Sequence, residues 1–201
     1  VREDVLGSGS YSEVVRVTRT RGSPGAKASS YAMKILSKRQ IRERKLEVQL
    51  MREVKIQMQA SKHRNLTRSC PFEDAASVYL ILECADRGHL LQYMRRFPRL
   101  QIVPIDAALR FFVHVCLGVQ FLHERLRVIH RDLKLENLLL IRLNIERKSK
   151  NTSAGAGDDF ADPDRRATFC GTEDYLSPEM LLQETHKIGR PVDIWALGVV
   201  F

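Results

Sequence analysis

Three residues within VIHRDLKLENLLL, residues 128–140, carry complementary chemistry. Asp132 offers a carboxylate that can orient a hydroxyl nucleophile, Lys134 an ammonium suited to a transferring phosphoryl group, and Asn137 an amide oxygen able to bind a metal. Upstream, LGSGSYSEVV at residues 6–15 puts Gly7 and Gly9 in a turn between two β-like stretches. Lacking a Cβ, glycine lets backbone N–H groups approach phosphate oxygens, and Val14 can roof a flat base. A tight hairpin would use the same glycines, and Ser12 replaces a third glycine that would loosen the turn. In YAMK, Lys34 ends an otherwise apolar strand, where an inward ammonium needs an acid. Glu53 in MREVKIQ, on the helix that follows, is the best-placed partner.

These residues need elements to hold them. Val14–Thr18 and Tyr31–Leu36 read as strands, joined by the breaker-rich surface linker TRTRGSPGAKASS. From Arg42 to Gln59, Leu46, Leu50, Met51, Val54 and Met58 recur at three- and four-residue steps, which predicts one amphipathic helix. VYLILECA, residues 78–85, reads as a further strand. Asp106 is expected to cap a second helix carrying Leu109, Phe112, Val113, Cys116, Val119 and His123. HRNLTRSCPFED shows no apolar strand, and residues 142–166 are polar and rich in breakers, which predicts a disordered loop. VDIWALGVVF reads as an apolar helix that the chain's end leaves uncovered, so a truncated C-terminal region is expected. The pattern is α+β, strand-rich in the first third and helical afterwards.

The chain has 201 residues, 44% hydrophobic and 28% charged, a composition that suits a soluble globular protein. Its net charge of +9 is spread over RERK, MRR, IERKSK and DRR with acids between, so a solvated basic surface is expected rather than a specific nucleic-acid interface. No consecutive apolar run approaches the roughly 18 residues that cross a bilayer, and VREDVLGSGS lacks the apolar stretch of a signal peptide. The expectation is a protein with no transmembrane segment, intracellular, in cytoplasm and/or nucleus. Cys70, Cys84, Cys116 and Cys170 show no metal-type pairing, so neither disulfides nor zinc are expected.

The run H-R-D-L-K-x-E-N, with every other motif in matching order, resembles the eukaryotic protein kinase family. The resemblance implies a bilobal fold: a small, mainly antiparallel β N-lobe with one helix and the hinge over residues 1–85, and a mainly α C-lobe over 86–201, truncated within the helix containing Trp195. ATP would bind between the lobes. Leu6, Val14, Ala32 and Leu139 would wall the adenine, roles that plain core packing would satisfy equally; Leu82 would be the gatekeeper, and Glu83 and Cys84 the hinge. Gly7 and Gly9 would cradle phosphates and Lys34 would pair with Glu53. Asp132, Lys134 and Asn137 would form the catalytic loop with Thr172 as its brace, and Asn137 and Asp159 would hold Mg2+. Arg131 would await a phosphate on Thr168, and the Asp193 and Trp195 helix would buttress the loop.

The C-G-T ending at Thr172 implies serine or threonine substrates. LEVQLMREVKIQ, RRATFCGTEDYLSPEM and VDIWALGVV look most similar to Aurora-type kinases, with Polo-like kinases second. That likeness implies protein substrates with basic Ser/Thr sites and mitotic or spindle scaffold proteins as partners. His89 stands where basophilic relatives often carry a glutamate, leaving Glu136 as the acidic contact. Asp159 sits in DFA rather than Asp-Phe-Gly, 22 positions after Asn137 (159 − 137), behind KNTSAGAGD, which lacks the alternation of the family's metal-binding strand. Two readings stay open. One is an active serine/threonine kinase whose sequence is a fragment or a faulty gene product, favoured by intact Lys34, Glu53, Asp132, Lys134 and Asn137. The other is a pseudokinase, a nucleotide-binding scaffold without phosphotransfer, favoured by the missing metal strand.

Overall fold

A computed structural model describes residues 2–8, 12–19, 30–95, 103–142, 147–151, 173–182 and 188–201. Gly9, Asp159, Thr168, Thr172 and most of the linker before β3 lie outside the described residues. The chain divides into two compact units: Val1–Ser61 with Arg68–Cys84, and Lys62–Thr67 with Ala85–Phe201.

Unit 1 is a five-stranded antiparallel sheet and two helices. Its strands are β1 (Arg2–Ser8), β2 (Ser12–Thr18), β3 (Ser30–Ser37), β4 (Ser69–Glu73) and β5 (Ser77–Glu83), in the order β1-β2-β3-β5-β4. The register sets Val14 opposite Lys34, which faces Leu80, and Arg16 opposite Ala32, which faces Leu82. Opposed residues share a face, so Val14, Ala32, Lys34 and Leu82 all lie on one side of the sheet. Leu36 and Leu80 are fully buried with Ile41, and Leu46, Leu50, Val54 and Leu82 pack against them. Each such side chain contributes about 1.5–3 kcal/mol when fully buried.

Two expectations are corrected in this unit. The helix expected over Arg42–Gln59 is two helices, α1 (Lys38–Glu43) and α2 (Glu47–Ala60), separated where Lys45 adopts φ 55. Leu46, Leu50 and Val54 do pack inward, but Met51 and Met58 are exposed and the buried positions are Glu53, Ile56, Gln57 and Ala60. The apolar stripe misjudges the buried face because α2 turns a carboxylate toward the Lys34 ammonium. HRNLTRSCPFED, read as strandless, supplies β4. It is an edge strand paired on one side only, so it needs neither strict alternation nor every backbone donor, and Pro71 is tolerated there. The Ser61 hydroxyl starts it, accepting the Ser69 N–H at 2.8 Å while donating to the Gln57 carbonyl at 2.8 Å.

Unit 2 runs through α3 (Leu90–Met94), α4 (Ile105–Phe121), a π turn (Leu122–Leu126), a 3-10 turn (Leu135–Asn137), β6 (Leu138–Arg142), β7 (Arg147–Asn151), a second 3-10 turn (Glu173–Tyr175), α5 (Pro178–Leu181) and α6 (Pro191–Val200). One core gathers Phe111, Val115 and Val119 of α4 with Leu133, Leu138 and Leu197; a smaller one holds Ile129, Leu176, Met180 and Val192.

Three sequence readings change here. Pro104, not Asp106, occupies the N-cap of α4; Asp106 lies in the first turn, where its charge suits the helix dipole. The buried stripe of α4 is Phe111, Val115, Gly118 and Val119, whereas Leu109 and Val113 are exposed. Residues 147–151, assigned to a polar loop, form β7 and pair antiparallel with β6, Leu138 opposite Asn151 and Arg142 opposite Arg147. Backbone pairing asks nothing apolar of β7 because β6 supplies the buried Leu138, Leu140 and Ile141. Residues Ile105–Leu126, 22 in all, are long and apolar enough by length and composition to cross a membrane, although Asp106, Arg110 and Gln120 interrupt any consecutive apolar run. Its inner residues instead fill the unit's core.

Candidate active site

In unit 1 the Lys34 ammonium lies 2.9 Å from Glu53 Oε1, with side-chain exposures of 22% and 11%. Gln57 donates from Nε2 to the same oxygen at 3.2 Å, so one carboxylate serves two donors from a largely dry position. The sequence reading missed Gln57; its signal was a polar residue one turn after the ion-pairing Glu53. Val14, Ala32 and Leu82 are half-buried on the face that carries Lys34, Leu6 is exposed, and Gly7 sits opposite Val14 with open space where a Cβ would be. Glu83 ends β5 and donates its N–H to the Arg68 carbonyl at 3.0 Å; Cys84 follows, half-buried.

In unit 2 the residues of the HRD run form one hydrogen-bonded loop. Lys134 Nζ lies 3.2 Å from Asp132 Oδ1. Asn137 donates from Nδ2 both to the Asp132 carbonyl at 2.7 Å and to Asp132 Oδ2 at 2.8 Å. Together they fix a half-buried carboxylate between a cation and an amide, which aims it. The loop folds this way because Leu133, between Asp132 and Lys134, and Leu138, directly after Asn137, are buried and anchor the backbone while the polar trio stays half-buried.

Behind the loop sits Asp193, with no exposed surface. Its Oδ2 accepts the His130 N–H at 2.8 Å and its Oδ1 the Arg131 N–H at 2.8 Å. Arg131 has φ 66, a left-handed backbone that a non-glycine residue adopts at a cost, and its side chain is buried. Burial depresses the pKa of His130, outweighing the opposite pull of Asp193 and Asp132. The neutral ring accepts the Asp132 N–H at Nδ1, 3.3 Å away. His123, which the sequence placed in a helical stripe without a role, contacts Asp193 Oδ2 through Nε2 at 2.6 Å.

Leu139 is half-buried and bridges the backbone of His89, and the Leu140 N–H donates to the Gly88 carbonyl at 2.8 Å. Glu136 and Asp174 are exposed beside Tyr175, whose phenol pKa is raised by burial first and by these two carboxylates next. Glu136 also faces His89, partly offsetting the burial that lowers that imidazole's pKa. Among the described residues no three His, Cys, Asp or Glu side chains gather as a metal site. Asn137 by itself does not make one, so the described residues do not complete a Mg2+ site.

A sheet lysine paired with a helix glutamate, and an Asp-x-Lys-x-x-Asn loop pinned from behind by a buried aspartate, define a phosphoryl-transfer class of protein. The protein kinase domain family matches residues 1–201, and the chain belongs to that family. It is 38% identical over 170 residues to the Aurora kinase of Schizosaccharomyces pombe, covering 84% of this chain and 45% of that protein. It is 39% identical over 170 residues to the Aurora kinase of Patiria pectinifera (84% and 40%), and 32% identical over 196 residues to the serine/threonine-protein kinase PLK4 of Aedes aegypti (97% and 24%). The chain thus spans less than half the length of these relatives.

Proposed function

We propose that this chain transfers the γ-phosphoryl group of Mg-ATP to serine or threonine hydroxyls of proteins, in basic sequence contexts. The observation that carries the reading is the fixed carboxylate of Asp132, flanked by Lys134 at 3.2 Å and Asn137 at 2.8 Å. Asp132 accepts the hydrogen bond of the substrate hydroxyl and so aims its oxygen, while the Lys134 ammonium offsets negative charge beside it. Lys34, held by Glu53, presents its remaining N–H donors to phosphate oxygens, and the open face over Gly7 admits a phosphate without a Cβ in the way. Val14, Ala32 and Leu82 offer an apolar face for the base, with Leu6, Leu139 and the backbone of Glu83 and Cys84 in the roles the family likeness suggests. ATP when bound supplies the phosphoryl group. For Mg2+, Asn137 is the one described candidate ligand, and Asp159 is proposed as its companion on sequence alone.

Glu136 and Asp174, two exposed carboxylates near the Tyr175 phenol, support a preference for cationic substrates. RRAT at 165–168 fits that preference as a self-modification site, with Arg131 as receiver of a Thr168 phosphate. Thr172 is the proposed brace of Asp132 and Lys134. Mitotic or spindle scaffold partners rest on the Aurora likeness alone, and an intracellular setting, in cytoplasm and/or nucleus, on the sequence composition alone.

The test is Mg2+-dependent transfer of labelled phosphate to an Arg-Arg-x-Ser/Thr peptide. Wild type should label it and Asp132→Asn should lose at least about a hundredfold in rate. If the wild-type chain transfers nothing while ATP still raises its melting temperature, the nucleotide-binding scaffold replaces the enzyme. Loss of activity in Asp159→Ala alone, with ATP binding retained, would place the second metal ligand.

A further inference from the structure

Arg16 lies on β2 two residues after Val14 and opposite Ala32, so it stands on the sheet face that carries Val14, Ala32, Lys34 and Leu82. It is half-buried, and its Nε is closed off from solvent with no hydrogen-bond partner among the described residues. The other cation of this face is differently placed, since Lys34 is held by Glu53 at 2.9 Å. The acids nearest along the strands cannot serve Arg16. Glu13 lies opposite Ile35 and Glu83 opposite Tyr31, register positions of the other face. Nor can arginine shed its proton, because the guanidinium stays charged at any pH at which the fold survives. A buried donor left without an acceptor destabilises the fold, and a charged one more than a neutral one. A ligand that brings acceptors to this face removes that cost.

We infer that Arg16 is a nucleotide-contacting residue that binds a pair of acceptors on the edge of the nucleoside. The inference rests on the proposed reading of this face as the nucleotide site. With Val14 opposite Lys34 and Arg16 opposite Ala32, Arg16 and Lys34 are diagonal neighbours about 7–8 Å apart, so Arg16 borders the patch on which the base rests while Lys34 meets the phosphates. Val14 and Ala32 are short and can only support a flat ring from above. An arginine on the same face is long enough to pass the level of that ring, so it meets the ligand edge-on. Its planar fork of donors fits two adjacent acceptors, and a nucleoside offers such a pair in two places: the vicinal ribose hydroxyl oxygens, and O6 with N7 of guanine. Adenine sets a donor amine beside N7 and cannot fill the fork from its base.

Calorimetric titration of the whole chain with ATP, GTP and 2′,3′-dideoxy-ATP, wild type against Arg16→Met, tests this. Methionine keeps an unbranched apolar stem and removes the fork. The variant should bind ATP or GTP about tenfold or more weakly. A loss for ATP and GTP that is absent for the dideoxy nucleotide assigns the contact to the ribose; a loss for GTP alone assigns it to the base edge. Without ligand, Arg16→Met should melt at or above the wild-type temperature, because the group removed has no partner to lose. A ligand-free variant that melts more than about 3 °C lower makes the guanidinium a structural group and overturns the inference. So does an equal loss for all three nucleotides, which excludes edge recognition. Wild type and variant binding all three alike overturns the inference and leaves the nucleotide site standing, whereas a wild type that binds none of them overturns both.

Discussion

Glu53 shows how one residue can matter more than its partner. Its Oε1 serves both Lys34 and Gln57, so Glu53→Ala strands an ammonium and a buried amide, whereas Lys34→Ala leaves the carboxylate with Gln57. Urea unfolding should therefore show a loss of about 2–3 kcal/mol for Glu53→Ala and about 1–2 for Lys34→Ala. His130 sets a second residue-scale expectation, shared with His63 and His89. All three imidazoles have pKa values lowered from 6.5, with burial the largest cause in each. The folded protein then binds fewer protons than the unfolded chain at and just below that value, so the stability these neutral rings contribute is present above it and lost as pH falls through it. The melting temperature should drop from about pH 7.5 to about pH 5, and His130→Asn should flatten part of that slope. A melting temperature that rises on acidification would contradict the buried neutral ring.

Elements were legible where local chemistry and packing agree. Val14–Thr18 and Tyr31–Leu36 sit inside β2 and β3, and 78–83 inside β5, because their β-branched and aromatic residues suit a half-buried sheet. What failed was the facing of the helices and the strands held by backbone alone. In α2 and α4 the apolar period was right and the buried side only partly so: Leu46, Leu50, Val54 and Val119 pack inward, but Glu53 and Gln57 are drawn in by hydrogen bonds and Met51, Met58, Leu109 and Val113 are left outside. Strands β4 and β7 carry Ser, Pro, Lys and Arg, which no side-chain pattern recommends. The site trio was legible for the opposite reason: Asp132, Lys134 and Asn137 are close in sequence, whereas His123 and Asp193 meet across 70 residues. The break between α1 and α2 gives an element-scale test. Lys45 at φ 55 is strained, and glycine adopts that angle without a Cβ clash. Lys45→Gly should raise stability by up to about 1 kcal/mol and Lys45→Val should lower it by at least as much, read from denaturant midpoints.

For the whole molecule, two opposed properties meet on the surface of unit 2. Exposed apolar side chains line the outer faces of its two long helices, Leu109, Val113 and Leu117 on α4 and Ile194, Trp195 and Val199 on α6. A hollow of about 770 Å3 lies beside the α6 group, between Glu179 and Val199. A solvated protein seldom leaves two such apolar helix faces without burying them against something. Against that stands the net charge of +9, which makes copies of the chain repel. The repulsion acts over a Debye length and is screened by salt, whereas apolar burial is not. The isolated chain should therefore self-associate as concentration rises, and more readily at about 0.5 M salt than at about 0.05 M, as read by light scattering. Ile194→Lys combined with Val199→Lys should suppress the association at both ionic strengths. Association that weakens as salt is added would instead mean charge-to-charge contacts, with the apolar faces of α4 and α6 not the surfaces that meet.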